Sequence, residues 1–140
     1  MGVIYLQDSE VTIDGVKFYG SPWQPEFYDW AFNLPRGEKL AQKWSKIPGN
    51  TDILITHGPV YGLLDYAPHG GHVGCEELYR RVFDVKPKIH VCGHIHGAYG
   101  QKSIEGVEFL NASVLDERYE HAHKPIVVEF NTETKEVVYA

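Results

Sequence analysis

Residues 88–100, KIHVCGHIHGAYG, begin as an apolar strand and continue as a glycine-rich loop that carries His94 and His96. Residues two apart in an extended segment point to the same side and lie roughly 6.6 Å apart. Two imidazoles at this spacing can bind one metal ion, or flank a pair of ions about 3.5–4 Å apart. The same residues also suit a surface loop that merely contains histidines, and this stretch alone leaves both interpretations open.

A second strand that ends in a histidine turn lies earlier in the chain. Ile53-Leu54-Ile55 is a short apolar run, typical of a strand buried on both faces, and it leads directly into Thr56-His57-Gly58-Pro59. In layered α/β proteins, functional sites gather at the carboxyl ends of strands. If the two strands are neighbours, we expect His57, His94 and His96 to converge, which favours metal binding over incidental histidines.

The rest of the chain predicts alternating strands and helices. Asp14-Gly15 indicates a hairpin turn, and a run of aromatic residues from Trp23 to Phe32 predicts a loop clamped onto the core, with a substrate-facing wall as the alternative. Apolar periodicity predicts a helix after Pro35 that places Leu40, Trp44 and Ile47 on one face and ends at Pro48-Gly49. A second helix is predicted after Gly74, with Cys75, Leu78, Val82 and Val85 on its buried face and the ion pairs Glu76–Arg80 and Glu77–Arg81 on its exposed face. Strand propensity predicts a strand at Val107–Leu110 and a hairpin of Ile126–Phe130 with Val137–Tyr139.

The first residues predict a core strand, Val3-Ile4-Tyr5-Leu6, directly after the initiator methionine. Core strands usually have a neighbour before them, because a bare edge invites mispairing. We therefore expect the chain to begin in the middle of a domain. The predicted organisation is a single partial α/β domain over residues 1–140, with layered mixed sheets flanked by helices.

Composition narrows the classes of function. With 13 basic and 19 acidic residues the net charge is −6, which argues against a nucleic-acid surface held by Lys and Arg. A phosphate ester would therefore need metal ions for much of its charge complementarity. Cys75 and Cys92 lack CxxC spacing and fit reduced thiols of a cytoplasmic protein. No apolar run approaches the roughly 18 residues of a membrane span.

The pair Thr56-His57-Gly58-Pro59 and Gly93-His94-Ile95-His96, in this order, resembles the calcineurin-like metallophosphoesterases. The resemblance is closest to the small branch often called metallophosphoesterase-domain proteins, and it runs from Val3 to about Phe130. The other matching stretches are Leu6-Gln7-Asp8-Ser9, Tyr19-Gly20-Ser21-Pro22-Trp23, Phe32-Asn33-Leu34-Pro35-Arg36-Gly37, Asp52-Ile53-Leu54-Ile55 and Asn111-Ala112-Ser113.

The resemblance implies a sandwich of mixed sheets flanked by helices and a site with two divalent ions of manganese, iron or zinc. It implies that His57 and His94 bind one ion and that His96 binds the other. The reaction it implies is hydrolysis of phosphodiester or phosphomonoester bonds in a small substrate. Neutral imidazole nitrogens suit these ions near neutral pH.

The family pattern also contains an early Asp-x-His, then Gly-Asp-x-x-Asp, then Gly-Asn-His followed by an acid, and this sequence contains none of them. We therefore expect a chain equivalent to the C-terminal half of the domain, with the N-terminal half missing. Two hypotheses follow: the metal-binding half of a phosphoesterase, or an inactive remnant that binds a metal or a partner chain. That partner is a second copy in a homodimer or a complementing N-terminal half. A plain α/β domain with incidental histidines is the third interpretation.

Other titratable residues are expected to play smaller parts. His90 and His96 are roughly 20 Å apart in an extended chain, too far for one tetrahedral site, and Cys92 is expected to be a small buried residue. Asp116 and Glu117 are the acidic residues placed to supplement the histidines. The remaining histidines are expected to be solvated loop residues: His69, His72, His121 and His123.

Overall fold

The computed structural model describes residues 2–140, which form twelve strands and two α-helices. In chain order the elements are β1 (Ser9–Ile13), β2 (Val16–Ser21), β3 (Gln24–Pro25), β4 (Asn33–Leu34), α1 (Glu38–Trp44), β5 (Ile53–Thr56), β6 (Tyr66–Ala67), β7 (Gly71–His72), α2 (Glu76–Val85), β8 (Ile89–Cys92), β9 (Gly100–Ile104), β10 (Val107–Asn111), β11 (Val128–Phe130) and β12 (Val137–Tyr139). A short 3₁₀ turn covers His96–Ala98.

A six-stranded mixed sheet forms the centre of the fold, in the order β1-β2-β5-β8-β10-β9. The four inner strands run parallel, and β1 and β9 close the two edges as antiparallel hairpin partners. Parallel neighbours require crossovers, which α1 provides between β2 and β5 and α2 between β5 and β8. Strands β11 and β12 form a separate hairpin. The predicted mixed α/β architecture is confirmed.

Helices α1 and α2 pack together against one face of this sheet. The predicted apolar stripes are buried: Leu40, Trp44 and Ile47 from the first helical segment, and Leu78 and Val82 from α2. They meet the inward-facing strand residues Tyr19, Leu54 and Phe109 in a single core cluster. Each such burial contributes roughly 1.5–3 kcal/mol, so this face is the main source of stability. Neither helix has the length and apolarity needed to cross a membrane, within the described residues 2–140.

The opposite face of the sheet differs from the prediction. Leu54 is fully buried, but Ile55 on the other face is 40% exposed, so the run in β5 is buried on one side only. The predicted core strand Val3–Leu6 is wrong, because no strand is formed before Ser9 in the described chain and Val3 is 97% exposed. An apolar run becomes a strand only where a neighbour supplies hydrogen bonds. Strand β2, beside this segment, already pairs with β1 and β5.

Local signals give mixed outcomes. The β1–β2 hairpin turns at Asp14 and Gly15, both with positive φ, as predicted. Helix α1 ends at Trp44, before the predicted stop at Pro48-Gly49, and the terminal hairpin begins at Val128 instead of Ile126. The predicted i, i+4 ion pairs are wrong. Glu76 pairs with Arg36 from outside the helix, Glu77 pairs with Arg80 at i, i+3 within α2, and Arg81 donates to the Ile47 backbone carbonyl.

A buried carboxylate closes the loop between β5 and α2. Asp65 is 1% exposed, and its Oδ2 accepts the backbone N–H groups of Gly62 and Gly74, each at 2.9 Å. Its Oδ1 lies 2.7 Å from Nδ1 of His72. His72 is exposed, as predicted, and this carboxylate also holds its ring in place. The loop is fixed by hydrogen bonds that no periodic pattern in the sequence encodes.

His90 lies beneath the end of β5 and is fully buried. The Thr56 hydroxyl donates to the Gly58 carbonyl at 2.7 Å, so its oxygen lone pair is left to accept from Nε2–H of His90 at 2.8 Å. Burial lowers the pKa of His90 to about 3. The imidazole is therefore neutral in the folded protein at all ordinary pH values.

This neutral histidine makes the fold sensitive to acid. In the unfolded chain His90 titrates near pH 6.5, so its contribution is complete above that pH and is lost as pH falls toward about 3. We expect the free energy of unfolding to fall by up to about 1.4 kcal/mol per pH unit from this group between pH 6 and pH 4. Urea unfolding at several pH values measures the slope. His90→Gln should flatten it and His121→Gln should not; equal slopes in all three proteins would contradict the assignment.

Candidate metal centre

The two histidine turns lie side by side at the carboxyl edge of the sheet. Strands β5 and β8 are parallel neighbours, with Ile55 opposite Val91, so both chains leave the sheet at the same edge. The backbone N–H of Gly93 donates to the His57 carbonyl at 2.9 Å and fixes the two turns together. The ring centroids of His57 and His94 are 4.6 Å apart. This closeness allows the two imidazoles to share one ion.

His96 faces the same cleft from the start of the 3₁₀ turn. The cleft has a volume of about 300 Å³ and is lined by His57, His94 and His96 together. Nδ1 of His96 lies 3.0 Å from the Asp116 carbonyl oxygen, which can only accept a hydrogen bond. The Nδ1–H tautomer is therefore favoured, and Nε2 keeps its lone pair free. Backbone carbonyls orient metal-binding histidines in this way.

The electrostatics of the cleft favour neutral imidazoles. Burial, followed by the neighbouring His57 and His96, lowers the pKa of His94 to about 4. Burial, and then the charge of His96, lower the pKa of His57. A neutral ring presents a lone pair instead of a second proton, so His57 and His94 are available as ligands near neutral pH.

His94 has an unusual backbone and an aromatic surrounding. Its φ is +68°, a left-handed value that costs energy in a residue with a side chain. Its ring packs edge-on against Phe27 at 4.9 Å and near Trp30 at 6.0 Å. The aromatic loop is therefore not simply clamped onto the core. Only its first ring, Trp23, packs against the core cluster, and Phe27 and Trp30 form a wall of the cleft.

The donor set fits a divalent ion in its chemistry but is incomplete. Residues 2–140 contain no group of three or more His, Cys, Asp or Glu side chains arranged to hold one ion. Asp116 is turned away, since its carboxylate accepts the backbone N–H groups of Arg118 and Glu120. Glu117 instead lines the cleft, and its carboxylate occupies the space where a side chain on Gly97 would begin. One carboxylate thus stands beside the three histidines.

The other candidate ligands lie elsewhere. Cys92 is buried in the sheet, and burial raises the pKa of its thiol to about 12, as expected for a small core residue. His123 corrects the expectation of a solvated loop residue, because it stacks on Tyr99 at 4.3 Å and its Nδ1 lies 2.9 Å from the Ser113 carbonyl oxygen. His69 and His121 are exposed, as predicted.

Asn111 is a site residue whose role the sequence did not reveal. It is fully buried at the end of β10, and its amide donates to the carbonyls of Ile95 at 2.9 Å and Leu64 at 3.1 Å. Its own oxygen accepts the N–H of Ser113. Because Ile95 separates His94 from His96, this side chain holds the loop between the two histidines. The matching stretch Asn111-Ala112-Ser113 was the available signal, but it carried no spacing that pointed to a role.

Truncating Asn111 should therefore destabilise the protein. Asn111→Ala leaves two buried carbonyls and one buried N–H without partners, and we expect a loss of about 2–4 kcal/mol in the free energy of unfolding. Asn131→Ala is the control, because its side chain caps two backbone N–H groups in an exposed turn. It should cost less than about 1 kcal/mol. Urea unfolding compares them, and similar losses in both variants would remove the special role of Asn111.

Comparison with known proteins gives consistent matches. Residues 2–98 match the family described as Calcineurin-like phosphoesterase. The chain is 52% identical over 131 residues to Metallophosphoesterase domain-containing protein 1 of Homo sapiens, covering 92% of this chain and 40% of that protein. A UPF0046 protein of Caenorhabditis elegans is 41% identical over 127 residues, covering 90% of this chain and 32% of that protein. The chain thus spans well under half the length of these relatives.

One solved structure shows the same fold. It superposes on 96% of this chain and 52% of its own chain with a TM-score of 0.61, at 12% sequence identity. At 12% identity the match shows a shared arrangement of strands and helices and gives no information on the reaction or the ligands.

Proposed function

Because the chain belongs to the calcineurin-like phosphoesterase family, we propose that it carries the histidine ligands of a metal-dependent phosphoester hydrolase. In this proposal His57 and His94 hold one divalent ion of manganese, iron or zinc, and His96 holds a second. The chemistry that two such ions supply when bound is Lewis-acid stabilisation of charge on a phosphoryl group. The substrate is a small phosphodiester or phosphomonoester.

One observation carries the proposal: the rings of His57 and His94 lie 4.6 Å apart at the ends of two parallel neighbours. The protein's own residues then have defined tasks. The Asp116 carbonyl orients His96 through Nδ1, and the low pKa of His94 keeps its ring neutral. Phe27 and Trp30 pack edge-on against the His94 ring and limit its movement. Together they present imidazole lone pairs to one cleft.

A second proposal is a non-catalytic protein that binds one metal or a partner chain. Two features favour it. The cleft has a single carboxylate, Glu117, among its described lining residues. The free face of the sheet also exposes Ile55 beside Val3, Ile4 and Tyr5, which suits contact with a second copy or with a complementing N-terminal half. The reduced Cys75 and Cys92 support a cytoplasmic location for either function.

Metal titration tests the ligand assignment directly. We expect manganese or zinc to bind weakly, and His57→Ala and His94→Ala each to weaken binding by about tenfold or more, because each removes a donor from the same ion. His121→Ala, an exposed histidine, is the matched control and should bind as the parent does. Isothermal calorimetry measures the affinities. Equal affinity in the parent and both cleft variants would rule out these ligands.

A further inference from the structure

A short loop, residues 114–122, brings three groups to the edge of the histidine cleft. The Asp116 carbonyl accepts the hydrogen bond from Nδ1 of His96 at 3.0 Å. Glu117 and Tyr119 line the cleft, and the Tyr119 ring meets the His96 ring edge-on at 5.3 Å. The placement of this loop therefore decides how His96 is presented and which side chains stand beside it.

The loop has a fixed shape of its own. The Val114 carbonyl accepts the backbone N–H groups of Ala122 at 3.1 Å and His123 at 3.0 Å, and the Asp116 N–H donates to the Glu120 carbonyl at 2.8 Å. These hydrogen bonds join the two limbs of a small hairpin to each other. The hairpin should therefore move as one body, and its position depends on what holds its base.

The base of the loop is held by a pair of stacked rings. The His123 ring lies 4.3 Å from the Tyr99 ring, with only 8° between their planes. Tyr99 directly follows the His96–Ala98 turn. Nδ1 of His123 donates to the Ser113 carbonyl at 2.9 Å, and the Tyr99 hydroxyl donates to the Lys124 carbonyl at 2.8 Å. The pair thus ties the segment that carries His96 to both limbs of the loop.

The second limb depends on this stack more than the first. The first limb begins at Ser113, whose N–H is held by the buried side-chain oxygen of Asn111 at 3.1 Å. Along the second limb, residues 121, 122, 124 and 125 are exposed and only His123 is partly buried. A stacked aromatic pair adds attraction beyond the area that it buries. His123 is therefore the side chain that brings the second limb against the His96 segment.

We propose that His123, through its stack on Tyr99, is the positioning residue that holds the 114–122 loop over the histidine cleft and so keeps His96 in its Nδ1–H tautomer. This inference rests on the proposed function only for the ion that His96 would bind, because the tautomer belongs to the metal-free chain. Without the stack, water replaces the Asp116 carbonyl as the partner of His96. A neutral imidazole hydrogen-bonded to water can carry its proton on either nitrogen.

The first test reads the tautomer of His96 directly. Long-range ¹H–¹⁵N NMR of the metal-free chain, labelled in its histidine rings, is recorded at mildly alkaline pH, where free imidazoles are neutral. We expect His96 to carry its proton on Nδ1 in the parent, and a large fraction to carry it on Nε2 in His123→Ala and in Tyr99→Leu. His123→Phe keeps a flat ring on Tyr99 and should restore most of the parent signal. His121→Ala, which removes an exposed histidine of the same loop, should change nothing.

The second test separates positioning from a general loss of structure. Zinc is titrated into the parent and into His123→Ala, and the ring signals of each histidine are followed. We expect zinc to act on His96 with about tenfold lower affinity in the variant, as when a supporting contact of a metal ligand is removed, whereas His57 and His94 respond as in the parent. An unchanged His96 tautomer in His123→Ala, no rescue by His123→Phe, or an equal loss at all three histidines would overturn the proposal. A parent chain that binds no zinc would refute the proposed function and leave the tautomer result standing.

Discussion

Manganese added to the 140-residue chain is expected to give negligible hydrolysis of a nitrophenyl phosphodiester. Two divalent ions about 4 Å apart repel each other by several kcal/mol even at an effective dielectric near 20. Neutral histidines do not offset this repulsion, and Glu117 is the only carboxylate that lines the cleft in the described part of the chain. Weak occupancy of the second ion should therefore limit turnover.

Supplying the missing charge should change this result. We expect some turnover when the chain is mixed with the part of the human relative that lies outside the matched region, since that protein is much longer than this chain. His94→Ala should abolish the gain, and His121→Ala should keep it. Release of nitrophenolate, followed with and without the added polypeptide, is the measurement. Robust metal-dependent turnover by the chain alone, lost in His94→Ala, would show that the chain itself supplies enough negative charge to hold both ions.

Gly74→Ala adds a single methyl group and is nevertheless expected to destabilise the protein strongly. A Cβ at Gly74 would lie 2.2 Å from the Val60 carbonyl oxygen and 2.7 Å from the Tyr61 nitrogen. These are backbone atoms, held by hydrogen bonds of Tyr61 to the Cys75 carbonyl and of Gly74 to Asp65. They cannot move aside as a side chain would. We expect a loss of about 3 kcal/mol or more, and a melting temperature lower by roughly 10 °C.

Gly49→Ala provides the matched control for this substitution. No atom lies within 4 Å of a Cβ at Gly49, and its backbone is not left-handed. The same chemical change should therefore stay within about 0.5 kcal/mol of the parent. Thermal unfolding followed by circular dichroism compares the three proteins. A melting temperature for Gly74→Ala within 2 °C of the parent would mean that the backbone around Val60 yields easily.

The local sequence pattern correctly predicted those helices and turns whose position depends on residues close together in the chain. The spacing of Leu40, Trp44 and Ile47 was enough to place one helical face in the core, and Asp14-Gly15 was enough to place a hairpin. The prediction of a strand at Val3–Leu6 was wrong because an apolar sequence gives no information on whether a neighbouring strand is free to pair with it. The prediction that β5 is buried on both faces was wrong at Ile55 for a similar reason, since burial of the second face depends on what packs against it and not on the strand's own sequence.

The site was predictable where it follows from strand direction. His57 and His94 follow two apolar strands, and parallel neighbours place both turns at one edge of a sheet. The sequence did not reveal the role of Asn111 or the Asp65–His72 pair, and it gave the wall formed by Phe27 and Trp30 only as the alternative for the aromatic loop. Each depends on a contact between segments distant in the chain, made by a single side chain with no repeating pattern around it. Such contacts appear only once the strands are in register.

The parallel pairing of β5 with β8 also bears on how quickly the protein folds and how a metal would affect that rate. Everything from Gly58 to Gly93 must close as one crossover, including α2, before His57 and His94 can meet. Contacts of such sequence separation form slowly and late. An ion held between these rings would thus find no binding site in the early chain. The bound ion should therefore leave the folding rate nearly unchanged and slow the unfolding rate, because it stabilises only the folded state.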